Sequence, residues 1–166
     1  MGLVPGKPRR IEWEAQYVSE FVQKYYPGSI RMLHVKIGGY PPGFKSEDLE
    51  DAERQMLRVY LRWADAVVVT PSEVIIVEAK LRPTEYLKAL GELEMYLKLV
   101  PATEELTTYL PSRILLGQIC VPIDDPIVAN MCRERKLRYT VFQPSFWKEY
   151  WQMLAARTRR PSLVGA

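Results

Sequence analysis

The segment Asp65 to Lys80, D-A-V-V-V-T-P-S-E-V-I-I-V-E-A-K, is the constraint that any fold of this chain must satisfy. Two runs rich in Val and Ile, interrupted by Pro71-Ser72, read as antiparallel strands joined by a turn. They nevertheless carry Asp65, Glu78 and Lys80. Ionisable groups on otherwise apolar strands are costly unless something binds them.

The spacing sets the register. With the turn centred between Pro71 and Ser72, Thr70 opposes Glu73, Val67 opposes Ile76 and Asp65 opposes Glu78. Alternation then puts Glu78 and Lys80 on the face of Asp65, while Ala79 turns away and leaves its carbonyl at the strand edge. Opposed Cβ atoms lie roughly 5 Å apart, so two carboxylates there repel unless a cation separates them. A hard divalent ion suits such oxygens and keeps several waters, which makes Mg²⁺ the expected cofactor and Mn²⁺ its substitute. The hairpin reads as a one-metal hydrolytic site, with Asp65, Glu78 and the Ala79 carbonyl as ligands and Lys80 beside the waters. The structural alternative is that Asp65 merely opens a strand and Glu78-Ala79-Lys80 is a strand end emerging into solvent. Pro71 suits a type I or II turn better than the primed turns of tight hairpins, and a longer loop with the same centre keeps the register.

Asp65, then Glu78-Ala79-Lys80 at the end of a hydrophobic strand and a helix directly after, resembles the PD-(D/E)XK nuclease superfamily, which includes restriction endonucleases and Holliday-junction resolvases. The resemblance spans residues Ile11 to Val121. It implies a core of one helix, a three-stranded meander, a helix and a further strand, with the Asp and Glu binding Mg²⁺ and the Lys positioning or activating the attacking water. By motif position those roles fall on Asp65, Glu78 and Lys80. Ala64 stands where the motif has its proline, and two cysteines are too few for the iron-sulfur subgroup.

A chain of 166 residues, 48% hydrophobic and 26% charged, is long enough for one domain with a real core. The expected layout is a basic arm over 1–10, one nuclease-like domain over 11–156 and a basic tail over 157–166. A net charge of +3 is compatible with a polyanionic partner without demanding one. Cys120 and Cys132 form no C-x-x-C pair, and with His34 the only histidine there is no zinc set, so reduced buried thiols are expected. No stretch reads as a signal peptide, a myristoylation site or a membrane span, which gives an expected location in the cytoplasm, or inside the host cell if the protein is viral.

In the arm, Lys7, Arg9 and Arg10 are either phosphate contacts or part of a solvated end. Tyr17, Val18, Phe21 and Tyr25 recur at helical spacing from Ile11 to about Tyr26, and Pro27-Gly28 ends the helix. Glu14 belongs to this stripe, either as a further metal ligand or as an acid favoured by the helix dipole. A strand follows over Ser29 to Ile37, in which the lone His34 reads as structural, and then a Gly/Pro loop carrying Lys45. Ser46 is the expected N-cap of a second helix leading to Asp65, with Leu49, Ala52, Met56, Val59 and Trp63 as its buried stripe. Arg54, Arg58 and Arg62 recur on another face as candidate DNA contacts with Lys45, or as an ion-paired surface with Glu50 four residues before Arg54.

Pro83-Thr84 opens a third helix with Leu90, Leu93, Leu97 and Val100 inward, and Gly91 is expected to permit close approach to the sheet. The resemblance implies a polar residue from this helix near the scissile phosphate, a role open to Tyr86, Lys88 or Glu92, none of which lies in a sharp motif. Arg113 to Val121 and Leu137 to Phe142 read as strands around a helix capped by Asp124-Asp125-Pro126, a parallel crossover that makes the sheet mixed. The last helix carries Phe146, Trp147, Tyr150 and Trp151, a stripe suited to the core or to an oligomer contact. Arg157, Arg159 and Arg160 follow.

The fold class expected is therefore α/β, a restriction-endonuclease-like mixed sheet flanked by helices. The function expected is a Mg²⁺-dependent DNA endonuclease, as a homo-oligomer if both strands of a duplex are cut. The alternatives are a nuclease-like fold used as an assembly module with protein partners in a phage or mobile-element complex, and an RNA-directed nuclease.

Overall fold

The computed structural model describes residues 10–41 and 43–158. Lys7 and Arg9 of the arm and Arg159 and Arg160 of the tail lie outside the described residues. β1 (Ile30–Ile37), β2 (Arg62–Val69) and β3 (Glu73–Ala79) form an antiparallel meander, and β4 (Ile114–Val121) and β5 (Arg138–Val141) extend it in parallel, in the order β1-β2-β3-β4-β5. The protein is thus α/β with a mixed five-stranded sheet, as the hydrophobic runs imply. The β2–β3 register pairs Val67 with Ile76 and Ala66 with Val77, the register that centring the turn on Pro71-Ser72 requires.

β3 is the central strand, and Val74 to Ala79 are all buried. A strand covered on both faces reads as an unbroken apolar run, which is why its terminal Glu78 stands out. One face packs Val67, Val74 and Ile76 against Ala89, Leu90 and Leu93 of α3 (Tyr86–Leu99) and Val128 and Cys132 of α5 (Pro126–Glu134). The other packs Val68, Ile75 and Val77 against Tyr17, Val18 and Phe21 of α1 (Arg10–Tyr25) and Phe146 and Tyr150 at α6 (Trp147–Thr158). Asp125 caps α5 by accepting from the Ile127 and Val128 N–H groups, as expected for an Asp-Pro helix start. Both cysteines are free and buried.

The second helix departs from expectation. α2 runs only over Asp51–Leu57, its N-cap is Glu50 in a reciprocal capping box with Glu53, and Ser46 instead opens a 3-10 turn. A second 3-10 turn over Arg58–Tyr60 follows, so Arg62 and Trp63 already belong to β2. Of the predicted buried stripe only Leu49 is buried; Ala52 and Trp63 are exposed, and Met56 and Val59 are 79% and 70% exposed. Helical spacing made those residues look like a core face, but a helix of two turns lying off the sheet has nothing to pack them against. A short four-residue helix, α4 (Glu104–Thr107), precedes β4.

The close approach assigned to Gly91 belongs to Gly117. A Cβ on Gly91 would meet nothing within 4 Å, whereas one on Gly117 would lie 3.0 Å from Leu137 and 3.3 Å from Leu97. Gly117→Val is therefore expected to cost about 2 kcal/mol through overpacking, and Gly91→Ala to add about 0.5–1 kcal/mol, both read as shifts in a urea unfolding midpoint. Equal effects of the two substitutions would contradict this packing.

Candidate active site

Where the β2–β3 ladder runs out, two side chains take over its hydrogen bonding. Main-chain pairing is last seen at Ala66 and Val77. Beyond it, the Asp65 N–H donates to Glu78 Oε1 at 3.1 Å and the Ala79 N–H donates to Asp65 Oδ2 at 2.8 Å. The two acids clip the diverging strands reciprocally, each holding the other's strand.

The divergence has a local cause. Ala64 and Val67 pack in one core while Ala66 and Val68 pack in the other, so the alternation of β2 changes phase at Asp65. On β1, Leu33 pairs with Ala66 and Val35 with Ala64, but no pairing joins His34 to Asp65, and His34 has φ +53°. A matched irregularity in both strands re-aims a side chain at the kink. It turns Asp65 towards a cavity of about 240 Å³ that it lines with Glu14, Val18 and His34. The expectation that Asp65 and Glu78 meet by sharing one sheet face is replaced by this geometry. Asp65 opens to the α1 side, Glu78 follows Val74 and Ile76 to the α3 side, and the carboxyls meet in the fork between.

Lys80 sits beside them, its Nζ 3.7 Å from Glu78 Oε2 and 3.5 Å from Glu92 Oε2, with Lys88 reaching Glu92 from the helix surface at 3.8 Å. Glu92, one of three polar candidates on this helix, is the one that reaches Lys80: Ala89, Glu92, Leu93 and Tyr96 share one helical stripe, so an acid lies among the inward residues of α3. Glu14 of α1, half-buried, is close enough to act on the charge of Lys80.

The electrostatics follow from burial. Glu78 is 1% exposed. Desolvation first, and then the charge of Asp65, push its carboxyl up to about 10, with Lys80 opposing. Desolvation also raises Asp65, against the lowering effect of the Ala79 N–H and of Lys80. Burial disfavours the Lys80 ammonium, but the charges of Glu78, Glu92, Asp65 and Glu14 outweigh it and hold its pKa above the ordinary value. The fork is thus a low-dielectric place with more acid than base.

Among the described residues no group of three or more His, Cys, Asp or Glu forms a ready-made metal cage. The donor chemistry still fits a hard cation that keeps most of its waters: the half-buried Asp65 and buried Glu78 carboxyls lie side by side, each with one oxygen engaged by an N–H, with the Ala79 main chain between them.

The candidate DNA contacts do not assemble as expected. Arg54 is held on α2, donating to the Ser46 carbonyl and pairing with Asp51 instead of Glu50. Arg58 lies in a 3-10 turn and Lys45 just before another, both exposed. Arg62, in β2, acts on the Tyr96 hydroxyl and so lies near the fork. A shared helical face for the three arginines is lost because the helix ends between Arg54 and Arg58.

No family model and no curated protein matches the chain. Among solved structures it is similar to a protein of unknown function, with 10% identity, a TM-score of 0.48 and 81% of this chain covered against 60% of that one. It is also similar to a repair endonuclease from Pyrococcus abyssi, with 12% identity, a TM-score of 0.43 and 83% of this chain covered against 49% of that one. The chain therefore spans less than two thirds of the length of either.

The strain at the fork can be measured. A buried acid raised from 4.5 to about 10 binds a proton in the folded state that the unfolded chain has released, so stability falls as pH rises between those values. Glu78→Gln removes that dependence and is expected to stabilise the metal-free protein at pH 7 by on the order of 2 kcal/mol, with the advantage vanishing below about pH 4.5. Urea titrations at pH 4.5 and 7 that show no difference in the variant's advantage would refute this account.

Proposed function

We propose that the protein is a divalent-metal-dependent endonuclease that hydrolyses phosphodiester bonds in DNA. The observation that carries the reading is the fork itself: the half-buried Asp65 and the buried Glu78 clipped side by side with an ammonium held next to them. Such an arrangement is unfavourable for folding alone and suited to a site that binds a cation.

Asp65, Glu78 and the Ala79 carbonyl would hold Mg²⁺ or Mn²⁺, with Glu14 as a further acid across the cavity. The bound ion supplies Lewis-acid polarisation of the phosphate and lowers the pKa of a water. Lys80 would orient the attacking water and offset the negative charge that builds on the phosphate in the transition state. Glu92 holds Lys80 from α3 and so positions its ammonium. Water is the nucleophile: the Cys120 thiol is buried and pushed up to about 12, and Cys132 is raised by burial, so neither supplies a thiolate. Arg62, which acts on Tyr96 beside the fork, would be available to an approaching phosphate.

One observation favours a second reading, in which this fold serves as an assembly module of a virus particle or mobile-element complex. Met56 and Val59 are left exposed on and after α2, with Tyr60 and Phe44 also exposed. Stable association with a protein partner and no cleavage of any DNA form would select it.

Incubation of the purified protein with linear, branched and single-stranded DNA in Mg²⁺ or Mn²⁺ tests the first reading. Cleavage is expected, EDTA should abolish it, and Glu78→Ala and Lys80→Ala should each lower it by at least about 100-fold while the far-ultraviolet circular dichroism stays folded. Undiminished activity in both variants would remove the hydrolytic assignment.

A further inference from the structure

Beside the kink that turns Asp65 into the cavity, His34 of the cavity wall stacks on Trp63. His34 and Trp63 stack with centroids 4.4 Å apart and an interplanar angle of 3°. Both are exposed, Trp63 by 43%, although the chain has a large core that accepts other aromatics. Stacking on each other covers only one face of each ring. His34 holds its place at φ +53°, a conformation uncommon for a residue with a Cβ, and outliers of this kind persist where the surrounding structure enforces them.

His34 lines the same cavity as Asp65 and Glu14. Trp63 lies two residues before Asp65 on β2 and is paired opposite Lys36 of β1, whose Nζ lies 5.7 Å from the Tyr40 ring centroid. A flat ring pair with a free outer face, a neighbouring cation and a carboxyl-lined cavity at its side match the needs of a nucleotide whose base is not stacked in a helix. Base–aromatic stacking tolerates any sequence, and a nearby cation serves the phosphate. A paired base inside a duplex cannot present its face to such a platform.

We propose that Trp63 and His34 form a stacking platform for an unpaired DNA base, so that single-stranded or frayed DNA is preferred over intact duplex. The preference in cleavage rests on the nuclease reading; the stacking does not. The experiment is therefore a binding measurement on the Glu78→Gln protein, using a fluorescein-labelled single strand and the blunt duplex of the same sequence. The single strand is expected to bind more tightly. Adding Trp63→Ala should weaken single-strand binding roughly tenfold and leave duplex binding unchanged, whereas adding Trp63→Phe should retain most of the affinity. Tryptophan emission should be quenched by the single strand in the parent, and less so in the Phe variant. Absence of measurable single-strand binding by the parent, no loss on Trp63→Ala, or equal loss for both DNA forms would each overturn the platform. If the platform holds while the wild type cleaves nothing, the hydrolytic reading alone fails; if the wild type cleaves and Trp63→Ala binds unchanged, the platform alone fails.

Discussion

Two carboxyl groups stand where main-chain hydrogen bonds would otherwise continue the β2–β3 ladder. The Asp65 carboxyl accepts from the Ala79 N–H and the Glu78 carboxyl accepts from the Asp65 N–H, so the strands are held together by the groups that force them apart electrostatically. A charge-bearing acceptor strengthens each bond, but burial makes the charge itself expensive. Glu78 stands in the middle strand, whose two faces are covered, so its carboxyl meets little solvent.

The fork also explains how residues far apart in sequence converge. Once β2 changes phase at Asp65, the opening between the strands faces α1 on one side and α3 on the other. Helix α1 brings Glu14 to the cavity, and α3 brings Glu92 to Lys80. Neither helix needs an unusual conformation, since each packs its ordinary apolar stripe, Tyr17, Val18 and Phe21 in one case and Ala89, Leu90 and Leu93 in the other. The irregularity is confined to His34 and Asp65, at the sheet edge where β1 has only one neighbouring strand and can deform.

The hairpin was legible because a period of two leaves little freedom: once Pro71-Ser72 is the turn, Val67 must oppose Ile76. The kink was not, since nothing in Leu33-His34-Val35 or Ala64-Asp65-Ala66 marks a phase change; no glycine is there to announce it. The same limit applied to α2. Ala52, Met56, Val59 and Trp63 have helical spacing, but spacing reports which residues share a side of a helix and says nothing about whether that side meets the core. The chain passes from 3-10 turn to strand at Leu61 without a breaker, so Arg62 and Trp63 carry no sign of being extended. For Gly91 and Gly117, sequence fixes the missing side chain but only the packing of Leu137 and Leu97 shows which absence is required.

The charge inventory bears on whether the fork could be purely structural. Lys80 is shared between Glu78 and Glu92, and the charges of Asp65 and Glu14 act on it as well. Lys88 contributes from an exposed position where solvent screens it. Amides at 65 and 78 would keep both clip acceptors, since a side-chain carbonyl accepts the same N–H, and would remove the repulsion. A clip needs hydrogen-bond acceptors; it does not need acids. The presence of acids at both positions is therefore unexplained by the clip alone, and the metal-binding proposal accounts for it. A proton and a divalent cation compete for the same oxygens, so the raised affinity of Glu78 for a proton and the site's suitability for a metal are consequences of one arrangement.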